Sequence, residues 1–320
     1  MQTVLNLGAD VDSRFIVIAC AAHSFAPYRI GNERGAIRTW LRQMPRDSRL
    51  GVEATGSHHE LLADLAHAAG LQVFVLNGRD LRHYAQGVGR RGKTDKIDAE
   101  VIARYVAREH AELHAYLPPS TEQRALSRLI KRRAKLVAIK GALTQSLRGL
   151  PGVRQELKQV TLRLDRLIGQ IETSMQRALQ QLPAARQAAQ QIATIPGFGP
   201  LGSTCLGHSF TRIPYTHSDA VIAHTGLDPR PDDSGKKHGR RRLSKRGPGE
   251  QRRLLFNCAM SAAKTRWWRP YYQAQRAKGL SSTAAIVILA RKMVRVAFAL
   301  YKHNQAFDPA LLAITTCKKP

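Results

Sequence analysis

The chain has 320 residues, 43% of them hydrophobic, enough for two domains with cores of their own and too apolar for wholesale disorder. Lys and Arg number 51 against 23 Asp and Glu, a formal charge of +28 that calls for a polyanionic partner. No apolar run approaches the ~20 residues that span a bilayer, and no signal pattern precedes the first strand, so the charge reads as serving nucleic acid and not a membrane.

Residues 1–115 read as α/β. Val4–Leu7, Phe15–Ala21 and Tyr28–Gly31 are expected as strands joined by tight turns, followed by a helix over Glu33–Met44. A strand ending at Glu53, a helix over Ser57–Ala69 and the strand Leu71–Leu76 come next. A helix then starts at Thr94 and runs to about Glu109, with Ile97, Val101, Ile102 and Val106 on one face. This order, three hairpin strands and then alternating helices and strands, is that of a ribonuclease-H-like fold.

Pro118-Pro119 marks a boundary. Residues 120–185 read as two long helices broken at Pro151-Gly152. Leu126, Leu129, Leu136, Leu143, Leu147 and Leu150 form the first seam, interrupted by Arg133 and Lys140. The second is Leu157, Val160, Leu164, Leu167, Ile171, Met175 and Ala178. This pattern fits a helical hairpin within one chain or a coiled-coil arm for oligomerisation, and the arm is the favoured reading. Residues 190–312 read as a mostly helical, basic domain ending in a helix over Thr283–Tyr301, and 313–320 as a loose tail. Cys20, Cys205, Cys258 and Cys317 lack CxxC spacing and read as reduced thiols of a cytoplasmic protein.

Four carboxylates stand out. Asp10 ends one apolar run, Glu53 ends another, and Asp95 and Asp98 share one helix face at i, i+3. Singly, three have a plain reading, Asp10 as a strand-end turn residue and Asp95 and Asp98 as partners of the helix dipole, whereas Glu53 emerges at the sheet's carboxyl edge, where ligands bind, before a short turn into a helix. Jointly they suit a site for hard divalent cations, because like charges gathered together need neutralising and oxygen donors suit Mg²⁺. Two Mg²⁺ ions there, with Mn²⁺ as a substitute, would stabilise attacking and leaving oxygens at a phosphodiester. Asp12, Asp80 and Glu100 rank lower, lacking the apolar lead-in or the shared helix face.

In the basic domain, Thr194–Pro200 resembles a helix-hairpin-helix turn in which Gly197 and Gly199 let backbone approach a phosphate; a plain Pro/Gly turn is the alternative. Arg230 through Arg269 hold thirteen Lys and Arg against Asp232, Asp233 and Glu250. The densest part, with Lys236, Lys237, Arg240, Arg241, Arg242, Lys245 and Arg246, lies in a Gly-rich loop and reads as a phosphate grip. Ser234 in this loop reads, on its own, as a turn residue, since no base stands at relay spacing despite His224 and His238 nearby. Trp267, Trp268, Tyr271 and Tyr272 read as core or interface residues ahead of base-stacking ones.

The segments Gly8–Ser13, Val52–Gly56 and Lys93–Ala99 resemble the DEDD transposase domain of the bacterial insertion-sequence family numbered one hundred and ten. The segments Ile195–Gly199, Ala223–Arg230, Asp233–Gly235 and Leu243–Gly247 resemble its C-terminal domain, in the same order. The resemblance implies a RuvC-like domain carrying Asp10, Glu53, Asp95 and Asp98, a coiled-coil dimerisation region, and Ser234 as a nucleophile that forms a covalent phosphoserine link to DNA. It further implies a composite site built across subunits, a homodimer assembling to a homotetramer, and a structured bridge RNA pairing with target and donor DNA. Ala9 departs from the family's usual β-branched residue. The expected function is an RNA-guided DNA recombinase acting in the bacterial cytoplasm at the nucleoid. The rivals are a metal-dependent junction resolvase with no covalent step and a non-enzymatic nucleic-acid binder.

Overall fold

The structure, a computed structural model, describes residues 4–312 apart from 23, 55, 91, 93, 232, 235, 236, 240 and 311; the side chains of Asp233, Ser234, Lys237 and His238 also lie outside the description. The chain forms two compact units that divide at Pro118/Pro119.

The first unit is a five-stranded sheet with helices on both faces. Its elements are β1 (Asn6–Val11), β2 (Phe15–Cys20), β3 (Tyr28–Gly31), α1 (Arg34–Leu41), β4 (Arg49–Glu53), α2 (His59–Ala68), β5 (Gln72–Leu76), α3 (Gly78–Gly87) and α4 (Asp95–Glu109). Strand order is β3-β2-β1-β4-β5. The hairpin pairs β1–β2 and β2–β3 are antiparallel, and β1–β4 and β4–β5 are parallel. Strand alternation divides the side chains between the faces. Leu7, Ala9, Ile16, Ile18, Leu50 and Val52 pack towards α1 and α2, against Ile37, Trp40, Leu62 and Ala66. Phe74 and Leu76 pack on the other face, against Ile102 and Val106 of α4.

Two expectations need correction. β1 extends to Val11, so Asp10 lies inside a strand, paired with Val17 of β2. The helix α3 was not expected at all. Its only buried residue is Leu81, so it has almost no apolar stripe, and it is started instead by Asn77, whose side chain accepts from the Arg79 N–H at 2.9 Å.

The second unit is mostly helical: α5 (Thr121–Ser146), α6 (Arg154–Gln180), α7 (Pro183–Ala193), α8 (Pro200–Arg212), α9 (Ser218–Thr225), α10 (Gly249–Ala262), α11 (Arg269–Ala277) and α12 (Ser282–His303). Between α9 and α10 stand two short antiparallel pairs: β6 (Pro229–Arg230) with β9 (Arg242–Leu243), and β7 (Asp233–Ser234) with β8 (Lys237–His238). A capping box at Ser120 and Gln123 starts α5.

Helices α5 and α6 form a hairpin whose base joins α7, α8 and α10 in one cluster, with Leu126, Met175, Leu179, Ala185 and Leu254. The expected α6 seam is only partly right: Met175 is buried, whereas Val160 and Leu167 are 43% and 42% exposed and Ile168 and Leu179, outside the seam, are buried. One partner helix covers a narrow stripe, and a strict seven-residue register drifts off that stripe by about 20° per heptad. Arg133 and Lys140, the seam's interruptions, are interhelical ion pairs, to Glu172 and Asp165, both at 2.6 Å.

The main core of this unit gathers Phe198, Phe210, Trp268, Leu289 and Met293. Trp268 stacks on Phe307 inside it, while Trp267 stays 38% exposed under the Arg266 guanidinium. Cys20, Cys205 and Cys258 are buried free thiols, and Cys317 lies outside the described residues. Among the described residues no helix is long and apolar enough to cross a membrane.

Candidate active site and basic arm

Asp10 and Glu53 stand at the carboxyl ends of neighbouring parallel strands. β1 and β4 run in register, with Gly8 opposite Gly51 and Ala9 opposite Val52. Two residues on from each glycine, on the same face, come Asp10 and Glu53. Helix α4 lies on that face at backbone contact. A Cβ at Gly8 would fall 2.1 Å from the Ala99 carbonyl oxygen and 2.3 Å from the Ala103 nitrogen, and one at Gly51 would fall 2.5 Å from a Val106 methyl. The two glycines are thus a floor that lets α4 settle on the sheet.

Thr94 caps α4 by accepting from the Ile97 N–H at 3.2 Å, and Asp95 and Asp98 occupy the first turn. This turn meets the strand ends. Its effect shows on Asp10, whose carboxyl is pushed up to about 6 by burial first, then by the charges of Asp98, Asp95 and Glu53. The four carboxylates named from the sequence therefore share one electrostatic neighbourhood at one sheet edge.

Each of two members is also held aside. Glu53 lies against the start of α3: a Cβ on Gly78 would sit 2.1 Å from its Oε1. Asp95 accepts from Arg29 at 3.5 Å. Arg29, Val17 and Asp10 form a row across β3, β2 and β1, so Arg29 reaches over Val17 to the cluster. Among the described residues no three His, Cys, Asp and Glu side chains are drawn together tightly enough to hold a metal ion. Mutual repulsion spreads the carboxylates, Glu53 lies against Gly78, and a guanidinium takes up Asp95.

The donor set still fits hard cations. It is all carboxylate oxygen, and Asp10 is held above its ordinary range by burial first and then by its acidic neighbours. Asp12 is exposed, its carboxyl lowered chiefly by the Ser13 N–H, and Glu100 pairs with Arg90 at 3.3 Å. A cavity of about 200 Å³ opens between α3 and α4, and Glu53, Asp98, Arg82, Gln86 and Arg90 are among its lining residues.

In the second unit the basic loop is an arm with a fixed base. The Ser244 N–H donates to the Asp228 carbonyl at 2.9 Å, the Ser244 hydroxyl donates to the Asp228 carboxylate, and Lys245 N–H donates to Gly226 at 3.1 Å. Gly247, at φ +90°, lies so close to His224 that a Cβ would fall 1.8 Å from its carbonyl oxygen. Above this base the backbone pairs Pro229 with Leu243, and Ser234 with Lys237.

Arg241, Arg242, Lys245 and Arg246 are exposed there; Lys236 and Arg240 lie outside the described residues, as does the Lys237 side chain. His224 packs edge-on against Tyr215, and burial lowers its pKa. At the expected helix-hairpin-helix turn, the lack of a side chain on Gly197 serves packing: its Cβ would meet Ala262 of α10 at 2.5 Å. Gly199, the N-cap of α8, has open space around it and keeps the expected role available.

Arg29, Arg82, Gly8, Gly51 and Gly78 were not anticipated. One signal for the glycines is in the sequence: Gly8-Ala9-Asp10 and Gly51-Val52-Glu53 repeat a glycine two residues before the acid.

Comparison with known proteins finds transposase families over both units, the first match running past Pro118/Pro119. A DEDD transposase family model, described as a transposase, matches residues 9–150, and a model described as the IS116/IS110/IS902 transposase family matches 189–273. The chain is 27% identical over 266 residues to a pilin gene-inverting protein of Moraxella bovis, spanning 80% of this chain and 81% of the relative. It is 27% identical over 345 residues to a transposase for the insertion sequence element IS1328 of Yersinia enterocolitica, spanning 96% of this chain and all 100% of the relative. An uncharacterized 44.8 kDa protein of insertion element IS116 from Streptomyces clavuligerus is 32% identical over 185 residues, 54% of this chain and 44% of the relative.

Proposed function

We propose, for a chain that belongs to the IS116/IS110/IS902 family of transposases, that it is a DNA recombinase using Asp10, Glu53, Asp95 and Asp98 together with Ser234 to cut and rejoin strands. Transposase or recombinase activity is the common ground of its relatives, one named for inverting a pilin gene and another for moving an insertion sequence. The observation that carries the reading is the crowding of Asp10 by three other carboxylates at the carboxyl edge of the sheet, where functional groups are tuned away from their ordinary pKa. We read the sheet order and the acid-bearing helix as ribonuclease-H-like, of the RuvC type.

Asp10, Glu53, Asp95 and Asp98 would hold divalent cations, two Mg²⁺ by the resemblance. When bound, these ions neutralise charge on the phosphate and on the attacking and leaving oxygens. The side chains orient them: Asp10 from the strand, Asp95 and Asp98 from a helix start that the glycine floor brings down onto the sheet. Ser234 supplies the nucleophile. Its hydroxyl gives up its proton, its oxygen bonds to phosphorus, and one bridging P–O bond breaks to leave a deoxyribose hydroxyl, which takes up a proton. Attack by a hydroxyl of another strand reverses the step, so the phosphodiester count is kept without ATP.

The family likeness further supports a bridge RNA that pairs with target and donor DNA, a composite site across subunits, and dimers assembling to a tetramer in the cytoplasm. Val160 and Leu167, seven apart and exposed on α6, support an oligomerisation arm. The exposed arginines and lysines of the arm support a grip on phosphates.

The test compares wild type, Ser234→Ala and Glu53→Gln on DNA carrying the ends of the element that encodes the protein. A protein–DNA adduct that resists denaturation in wild type and vanishes in both variants is expected. Cleavage that persists in Ser234→Ala would replace this reading with the junction resolvase. Sequencing RNA that copurifies with the full chain tests the guide, which requires one enriched, structured species.

A further inference from the structure

We infer that the cleft between α3 and α4 binds a backbone phosphate of the DNA strand beside the carboxylates, with Arg82 and Gln86 as its positioning residues. This rests on the recombinase reading and adds to it a specific hold on the substrate.

The cavity measures about 200 Å³. That is below the roughly 300 Å³ at which small-molecule pockets begin, so it suits a phosphate group and not a whole nucleotide. Its lining carries both signs of charge. Glu53 and Asp98 line it together with Arg82, Gln86 and Arg90. Arg82 and Gln86 are four residues apart on α3 and so present to one face of the helix.

Arg90 is engaged by Glu100, but Arg82 forms no ion pair or hydrogen bond with any described residue. An arginine that borders two carboxylates without pairing with either is spaced for something between them. A phosphate takes that place well: its oxygens accept from the planar guanidinium fork, and on the other side they face the carboxylates through whatever cations these hold. Gln86 adds a neutral donor. Leu81, Val101 and Ile102 supply the apolar part of the lining.

The glycine at the mouth fits the same use. Gly78 leaves the Glu53 carboxylate seated at the start of α3, one helical turn before Arg82. Acid and cation are therefore placed from one short helix, and DNA lying along it would meet Arg82 with one phosphate as the neighbouring one meets the carboxylates.

The test measures binding of the full chain to a labelled DNA duplex with a single-stranded end by fluorescence anisotropy. It is done across a salt series with Ca²⁺ present, for wild type, Arg82→Ala and Arg82→Lys. One lost phosphate contact lowers the slope of log K against log salt by about 0.7 to 0.9. Arg82→Ala is expected to show that loss, Arg82→Lys to restore the slope, and both to keep the wild-type melting midpoint because the side chain is exposed. A neutral methylphosphonate placed at successive positions should erase the difference between wild type and Arg82→Ala at one phosphate only.

An unchanged slope in Arg82→Ala overturns the assignment. So does an equal change with an RNA duplex of the same sequence, which would make the cleft a general phosphate contact. The readout needs no turnover. Failure of Ser234 chemistry with a changed slope sinks the recombinase reading and keeps the cleft, and turnover with an unchanged slope does the reverse.

Discussion

Gly8 stands directly opposite Gly51 in the parallel ladder of β1 and β4, and α4 lies across both at distances that leave no room for a methyl group on either. The acids of that helix reach Asp10 because of this floor. At Gly8 the obstruction is backbone, the Ala99 carbonyl and the Ala103 nitrogen, whereas at Gly51 it is the movable side chains of Val106, Ile102 and Leu76. Gly8→Ala must therefore lift the helix, and Gly51→Ala can be absorbed in part by repacking. Overpacking of this kind costs about 1–3 kcal/mol. Chemical denaturation should place Gly8→Ala at the upper end and Gly51→Ala at the lower, and the reverse order would deny the floor its role.

Gly78→Ala makes a contrasting prediction. The atom in the way there is Glu53 Oε1, the far end of a flexible side chain. The fold should tolerate the change, with a melting midpoint close to wild type, while the carboxylate is turned from its seat. Stabilisation of the protein by added Mg²⁺ should fall, since stabilisation follows ligand affinity. A variant that melts normally and responds to Mg²⁺ as wild type does would mean that the seat of Glu53 is immaterial to cation binding.

Asp10 gives the cluster a pH signature. Its carboxyl is raised from 3.8 to about 6, chiefly by burial and then by Asp98, Asp95 and Glu53. A raised acid binds its proton more tightly in the native state than in the unfolded chain. The stability this contributes is complete below about pH 3.8 and is lost as pH rises through about 6. Asp10→Asn carries no charge and escapes the loss. In chelator, the melting midpoint of Asp10→Asn minus that of wild type should grow between about pH 4 and pH 6 and then level off. Added Mg²⁺ should narrow the gap above that window by stabilising wild type. A difference that stays flat across the window would show that burial and the three carboxylates do not raise Asp10.

Much of this unit could be read from the chain, and the misses have physical causes. The short apolar runs of β2 and β4 and the i, i+3 acids of α4 are local signals, so they were legible. Helix α3 was not, because one buried leucine gives no periodicity and its start depends on a single Asn77 cap. Arg29 is 66 residues from Asp95 and joins it only through the strand row across β2, a relation no local pattern carries. In α6 the heptad named Val160 and Leu167, but a single partner helix covers a stripe that includes Ile168 instead. Arg133 looked like a flaw in a seam; it binds Glu172 of α6 and, at 3.3 Å, Glu250 of α10, a distant residue that made the position invisible as a network.

The base of the basic arm offers a prediction that separates the two units. Gly247 holds φ +90° with its α-carbon beneath the His224 carbonyl, so Gly247→Ala is strained in conformation and blocked by backbone at once. The contacts it guards, from Ser244 to Asp228 and from Lys245 to Gly226, fix the two ends from which the arm carrying Ser234 rises. Asp228→Asn is the gentler probe: it keeps the shape and removes the charge that accepts from the Ser244 hydroxyl, at a cost of roughly 1–3 kcal/mol. Neither residue lies in the unit that carries the carboxylates, so stabilisation by Mg²⁺ should persist in both variants while adduct formation through Ser234 falls, more steeply in Gly247→Ala. If adducts form at the wild-type rate in Gly247→Ala, the arm does not need its clasp, and the basic loop is a tether for nucleic acid whose base geometry is irrelevant to the chemistry.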